Sequence, residues 1–211
     1  MFEKIKSMFV RSEKEKTIRP AYILLFIFAI TALIAALVLS VEEIHIIKNP
    51  DAVLSCTFNV VLNCATVMKT WQASVFFGIP NMFIGLMAFP VLVTVAVAYL
   101  WGGARFNKGF LRAMNIGLLL GTIFAYWLFF SSLYAIQVLC PWCLIVTFSC
   151  TMMLAAAVHI GLRGNIWNLK KGTDAKIQKF LTAGYHKLMV ASWIVLMIAL
   201  VILKFGADLF A

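Results

Sequence analysis

The stretch from Val138 to Leu162, VLCPWCLIVTFSCTMMLAAAVHIGL, carries no Asp, Glu, Lys or Arg. About 20 apolar residues in a helix cross the roughly 30 Å of hydrocarbon in a bilayer, and in lipid only a helix or a closed barrel satisfies its own backbone. The stretch is therefore read as a membrane-spanning helix. Four more runs of the same kind lie around it, approximately Ala113 to Ile136, Ile79 to Trp101, Pro20 to Val41 and His186 to Gly206. The whole chain is 64% hydrophobic and 12% charged, against about a quarter charged in soluble domains, and its mean hydropathy is +0.99. These values exclude a soluble globular protein. The run from Pro20 is longer than the apolar core of a secretory signal, roughly 7 to 15 residues, and is read as a retained anchor. The expected fold class is an all-α integral membrane protein.

Charge sets the expected orientation. Of the 18 Lys and Arg, six fall in residues 1–19, three in 102–112 and six in 163–187; Lys48, Lys69 and Lys204 remain for the other side. Cytoplasmic loops carry the excess of basic residues, so the N-terminus is expected in the cytoplasm and the C-terminus outside the cell membrane. The net charge of +10 is thereby a topology signal and not a nucleic-acid footprint. The chain divides into a basic N-terminal segment (1–19), a four-span unit (20–162) with a long outer loop (about 42–78), a basic cytoplasmic loop (163–185) and a fifth span with the C-terminus (186–211).

Four of the five cysteines fall on the outer side: Cys56 and Cys64 on the long loop, Cys140 and Cys143 at the start of the fourth span. Cys140-Pro141-Trp142-Cys143 places a CxxC at a helix N-terminus. Backbone N–H groups and the helix dipole stabilise a thiolate there, and Pro suits the first turn because its missing N–H would be unpaired anyway. Two buried thiols or half of a zinc site would use the same residues, although zinc asks for four ligands and no His stands nearby. Cys56 and Cys64 would be about 12 Å apart along a continuous helix, so a bond between them needs an irregular loop. Such a bond could be a permanent bridge of an oxidising compartment. With a second pair on the same side, it becomes one partner of a thiol–disulfide exchange. Cys150 lies deep in the span and is read as apolar filler, as the ten Met are read as packing.

A relay of two dithiols needs a terminal acceptor. His45, His159 and His186 sit at span ends where they do not form a haem site, and no flavin or nicotinamide motif is present. The remaining acceptor is a quinone dissolved in the bilayer, menaquinone or ubiquinone. Trp142 and Phe83 could wall its pocket or serve as interface aromatics. Asn81 opens the second span, where it could act as an N-cap, and Pro90 is expected to kink that span.

The run Cys56-Thr-Phe-Asn59-Val-Val-Leu-Asn63-Cys64, with Thr70-Trp-Gln72-Ala73, Phe77-Gly78-Ile-Pro80-Asn81, Gly85 and Cys140-Pro-Trp-Cys143, resembles the vitamin K epoxide reductase family. It is most similar to the family's bacterial, actinobacterial-like branch. The resemblance spans about residues 20–162. It implies a four-helix bundle around a quinone, capped by the outer loop with a short interfacial helix near Val67 to Phe77. It implies Cys56, Cys64, Cys140 and Cys143 as the catalytic residues, with Cys64 exchanging with Cys140, Cys56 facing the partner and Cys143 facing the quinone. It also implies Asn81 as a donor to a quinone carbonyl and Thr70 as the Ser/Thr usual after the second loop cysteine. Thr147 stands where vertebrate members place a Tyr that contacts the quinone. The fifth span is additional to the minimal bundle. With five residues after Gly206, the expected partner is a separate thioredoxin-fold oxidase of the DsbA type on the outer side.

The activity expected from these residues is a quinone-dependent, disulfide-generating oxidoreductase. A reduced partner attacks the Cys56/Cys64 disulfide, Cys64 attacks Cys140, Cys143 is freed beside the quinone, and Cys140 closes back. Two other classes compete. Spans one to four lack the charged residues that ion paths use, which disfavours a transporter. A metal-delivery or assembly factor would use the cysteines as soft ligands instead.

Overall fold

The computed structural model describes residues 2–49 and 54–206. Met1, positions 50–53 of the outer loop and positions 207–211 of the C-terminal segment lie outside the described residues. The elements are helical: α1 (Phe2–Lys48), α2 (Cys64–Met68), a 3-10 turn (Trp71–Ser74), α3 (Asn81–Leu100), α4 (Lys108–Ser131) continued by a π turn (Ser132–Ile136), α5 (Pro141–Arg163), α6 (Lys171–Thr182) and α7 (Tyr185–Phe205). Among the described residues, five helices are long and apolar enough to cross a membrane. The protein is an all-α membrane bundle.

Helices in lipid gain no hydrophobic drive from packing on each other, so small residues that allow close approach mark their contacts. In α1 such residues recur at helical spacing: Ala21, Ala29, Ala32 and Ala36 are buried together with Leu25. This face packs against α3 and α5, and α5 packs in turn against α4. From α5 the shared core receives Cys150, Met153, Ala156, Ala157 and Ile160. Several buried polar side chains bond within their own helices, as Thr122 Oγ1 does to the Leu118 carbonyl and Asn115 Nδ2 to that of Leu111. Pro90 lies inside α3, and the helix runs on both sides of it.

Several of the described basic residues meet at one end. Arg105 pairs with Glu15 at 2.8 Å, Lys108 donates to Asn168 Oδ1, and Arg112 Nε to the Ile166 carbonyl. The segment 163–185, expected as a loop, contains the amphipathic helix α6. It docks through Gln178, which accepts from Arg163 and donates to the Leu162 carbonyl. Helix α7 is mostly exposed along its length. It meets the bundle through Trp193, whose indole N–H donates to Tyr126 Oη at 2.7 Å, and through the buried Phe205.

At the opposite end the chain between α1 and α3 folds over the bundle as a cap. The single interfacial helix expected near Val67 to Phe77 is instead two short pieces, α2 and the 3-10 turn, separated by Lys69 and Thr70. Helix α1 also runs seven residues past its expected end at Val41, because Glu42 is accommodated: its buried carboxylate accepts from the backbone N–H and hydroxyl of Ser55 in the cap.

Candidate functional site

The cap begins with a turn that the sequence builds from two Asn residues. Asn59 Oδ1 accepts from Val61 N and Leu62 N, which reverses the chain after Cys56. Asn63 then caps α2, its Oδ1 accepting from Thr66 N at 3.1 Å. This irregular path brings the Cys56 and Cys64 Cα atoms to 5.7 Å, and the two form a disulfide.

The second pair reaches this loop through backbone pairing. After the π turn, Gln137 adopts a left-handed conformation (φ 59°) and redirects the chain. Leu139 N then donates to the Val61 carbonyl at 2.7 Å, and Asn63 N donates to the Leu139 carbonyl at 3.0 Å. The pairing fixes Cys140 under Cys64, with the two sulfurs 3.4 Å apart. An apolar cluster that includes Leu39, Leu54, Val67 and Met68 encloses them. Cys56, Cys64 and Cys140 are each at most 1% exposed.

Cys140 is the N-cap of α5 and Pro141 its first residue; Cys140 Sγ accepts from Cys143 N at 3.3 Å. Hydrogen bonding from the Cys143 thiol, followed by the backbone N–H groups of Cys143 and Trp142, holds the Cys140 thiol below its ordinary pKa, although burial opposes the shift. Cys140 and Cys143 are both free thiols, as is Cys150.

Cys143 is half-buried and lines an apolar cavity of about 220 Å³. The walls come from α1 (Ala36, Leu39), α3 (Asn81, Gly85, Phe89), α4 (Phe124, Leu128), α5 (Thr147, Cys150) and the cap (Val67, Gln72). The cap rests on α4 beside this space through Phe76 against Phe124 and Trp71 against Trp127, with ring centroids 5.4 and 6.0 Å apart. Such a pocket, mainly apolar with a few polar groups, suits a ring-sized apolar ligand. Among the described residues, no three His, Cys, Asp or Glu side chains converge as a metal-ligand set.

The expected site residues divide between cavity and surroundings. Asn81 and Thr147 line the cavity with Cys140 and Cys143; Phe83, Trp142 and Thr70 do not. Trp142 packs beside the cysteine cluster instead. Thr70 donates its hydroxyl to the Val67 carbonyl at 2.7 Å and ends α2. Asn81 is not the N-cap of α3, because Pro80 holds that position. Its side chain ties down the cap: Nδ2 donates to the Gln72 carbonyl at 2.7 Å and Oδ1 accepts from Val75 N at 3.3 Å. The Thr147 hydroxyl donates to the Cys143 carbonyl at 2.9 Å. Cys56, expected to face a partner, is buried under the cap. Glu42, which holds the cap through Ser55, and the cavity-lining role of Gln72 are not among the sequence expectations, since both depend on how the loop folds back over the bundle.

A family model matches residues 23–158, more than half of the chain, and describes the vitamin K epoxide reductase family. No curated protein and no solved structure matches the chain.

Proposed function

The chain belongs to the vitamin K epoxide reductase family, a family of membrane thiol oxidoreductases, and we propose that it reoxidises an extracytoplasmic thioredoxin-fold partner of the DsbA type and passes the electrons to a membrane quinone. The observation that carries this reading is the 3.4 Å contact between Cys64 and Cys140, with Cys143 on the cavity wall. Exchange requires a thiolate within contact of a disulfide sulfur, and these four residues meet that requirement in series.

The reduced partner attacks the Cys56–Cys64 disulfide at Cys56. The partner's second thiol then displaces Cys56, leaving a partner disulfide and two loop thiols. Cys64 thiolate attacks Cys140 of the Cys140–Cys143 disulfide and releases Cys143 as thiolate. Cys56 resolves the mixed disulfide by attacking Cys64, which restores the loop disulfide and frees Cys140. A quinone held in the cavity would supply the two-electron, two-proton acceptor that lets the Cys140–Cys143 disulfide close. Cys143 borders the cavity, Asn81 keeps one amide N–H beyond the one given to Gln72, and the apolar walls exclude water. Because Cys56 is buried, the partner's attack requires the cap to lift.

The positive-inside rule supports the sidedness. Arg105, Lys108, Arg112 and Arg163 gather at the end far from the cysteines, which supports a cytoplasmic side for that end and an outer face of the cell membrane for the cap.

The test is a Cys143→Ser variant of the full chain, incubated with reduced partner and quenched in acid. It is expected to accumulate a Cys64–Cys140 cross-link and to lose quinone-dependent reoxidation of the partner. Retention of that reoxidation would sink the relay.

A further inference from the structure

We propose that the side-chain amide of Gln72 is a binding group for the quinone head group. The inference rests on the quinone-reducing activity proposed above. Several polar groups lining the cavity already have partners within the chain. Thr147 gives its proton to the Cys143 carbonyl, Asn81 bonds the backbone of Gln72 and Val75, and Cys140 Sγ accepts from Cys143 N. Gln72 differs from these: its Oε1 is buried with no hydrogen-bond partner among the described residues, and the residue lines the cavity together with Cys143. Buried carbonyls without a donor are rare, because the lost hydration is not replaced. The geometry therefore calls for a donor from outside the chain.

A primary amide matches both redox states of such a ligand. A quinone offers only carbonyl acceptors, to which the amide N–H can donate. A quinol offers hydroxyl donors, to which Oε1 can accept. Rotation about the last side-chain torsion exchanges the two faces, since that torsion is broad and roughly two-fold. The structural duty of this position falls on the backbone, because Asn81 bonds the Gln72 carbonyl. The side chain is thus left for a ligand.

The test compares the full-length wild type with Gln72→Met, which keeps length and loses both hydrogen-bonding groups. Binding of a soluble naphthoquinone and a soluble benzoquinone is followed by quenching of tryptophan fluorescence. The infrared carbonyl bands of the bound quinones give a second readout. Gln72→Met is expected to weaken quinone binding about 3- to 10-fold, the size of one net hydrogen bond, and to move a carbonyl band. The Cys64–Cys140 cross-link yield in a Cys143→Ser background should stay at its wild-type level. Unchanged affinity and an unmoved band overturn the assignment, and so does a fall in cross-link yield, which would make the side chain structural. A wild type that binds neither quinone overturns the parent reading instead.

Discussion

The sulfurs of Cys64 and Cys140 touch at 3.4 Å across a sequence separation of 76 residues. Neither helix positions this contact alone. It depends on the short pairing of Leu62 with Leu139, which sets the cap in register with the start of α5. Residues that hold this register should therefore control exchange without themselves bearing sulfur.

Asn63 is the first such residue, because it both pairs with Leu139 through its backbone and caps α2 through its side chain. Replacing an Asn N-cap by Ala costs about 0.5–2 kcal/mol. Asn63→Ala should lower the thermal unfolding temperature in detergent and reduce the yield of the Cys64–Cys140 cross-link in a Cys143→Ser background. An unaltered yield would show that the backbone pairing suffices.

A second prediction concerns pH. The Cys140 pKa is lowered, first by the Cys143 thiol and then by two backbone N–H groups. A depressed pKa means that the thiolate is favoured in the folded state. Its stabilising contribution is present above the unfolded pKa and is lost as pH falls through the folded one. In a Cys150→Ala background, thiolate absorbance of the reduced protein should therefore develop below the range of an ordinary cysteine. Cys143→Ala removes the largest cause, so its titration should move upward. A midpoint at the ordinary value in both proteins would contradict the assigned cause.

The spans and the start of α5 were legible in the sequence because both rest on local rules. Long charge-free runs have one solution in lipid, and Pro141 behind Cys140 fits the first turn of a helix. Helix α6 was hidden because its many charges within 163–185 resemble a loop, whereas its docking depends on Gln178 meeting Arg163. The burial of Cys56 and the cap-tying role of Asn81 were not legible either. Both arise from contacts of the folded loop: Cys56 is covered by its own cap, and Pro80 displaces Asn81 from the N-cap and leaves its amide free to reach Gln72. Phe83 and Trp142 were placed by proximity in sequence to site residues, but the helical periodicity turns them away from the cavity.

Two glycines that line the cavity, one on α3 and one on α4, should respond oppositely to Ala. At Gly85 in α3, an added Cβ would lie 2.9 Å from Phe89 Cε2 and 3.3 Å from Ala36 Cβ. Overpacking of this kind costs about 1–3 kcal/mol, which exceeds the roughly 1 kcal/mol that Ala gains over Gly in a helix. At Gly121 in α4, nothing lies within 4 Å of the added atom, so the propensity gain stands alone. Gly85→Ala should lower the unfolding temperature and Gly121→Ala should hold or raise it. Equal shifts in both variants would mean that α1 and α3 yield more easily than their packing implies.

Helix α7 is tied to the bundle by a hydrogen-bonded chain whose direction can be worked out. Thr151 Oγ1 donates its single proton to the Thr147 carbonyl at 2.9 Å, so in the 2.7 Å contact between Tyr126 Oη and Thr151 Oγ1 the tyrosine must be the donor. Tyr126 Oη is then free to accept from Trp193 Nε1 at 2.7 Å, and one phenol joins α7, α4 and α5. Hydrogen bonds between membrane helices average about 0.6 kcal/mol and reach about 1.7 kcal/mol. A double-mutant cycle of Trp193→Phe and Tyr126→Phe, read by thermal or denaturant unfolding, should give a coupling energy in that range. Tyr126→Phe alone should cost more than Trp193→Phe alone, since it breaks two bonds and not one. A coupling of zero would leave Phe205 as the main anchor of α7, and Phe205→Ala should then detach the helix from the cap while leaving the α1, α3, α4 and α5 core folded.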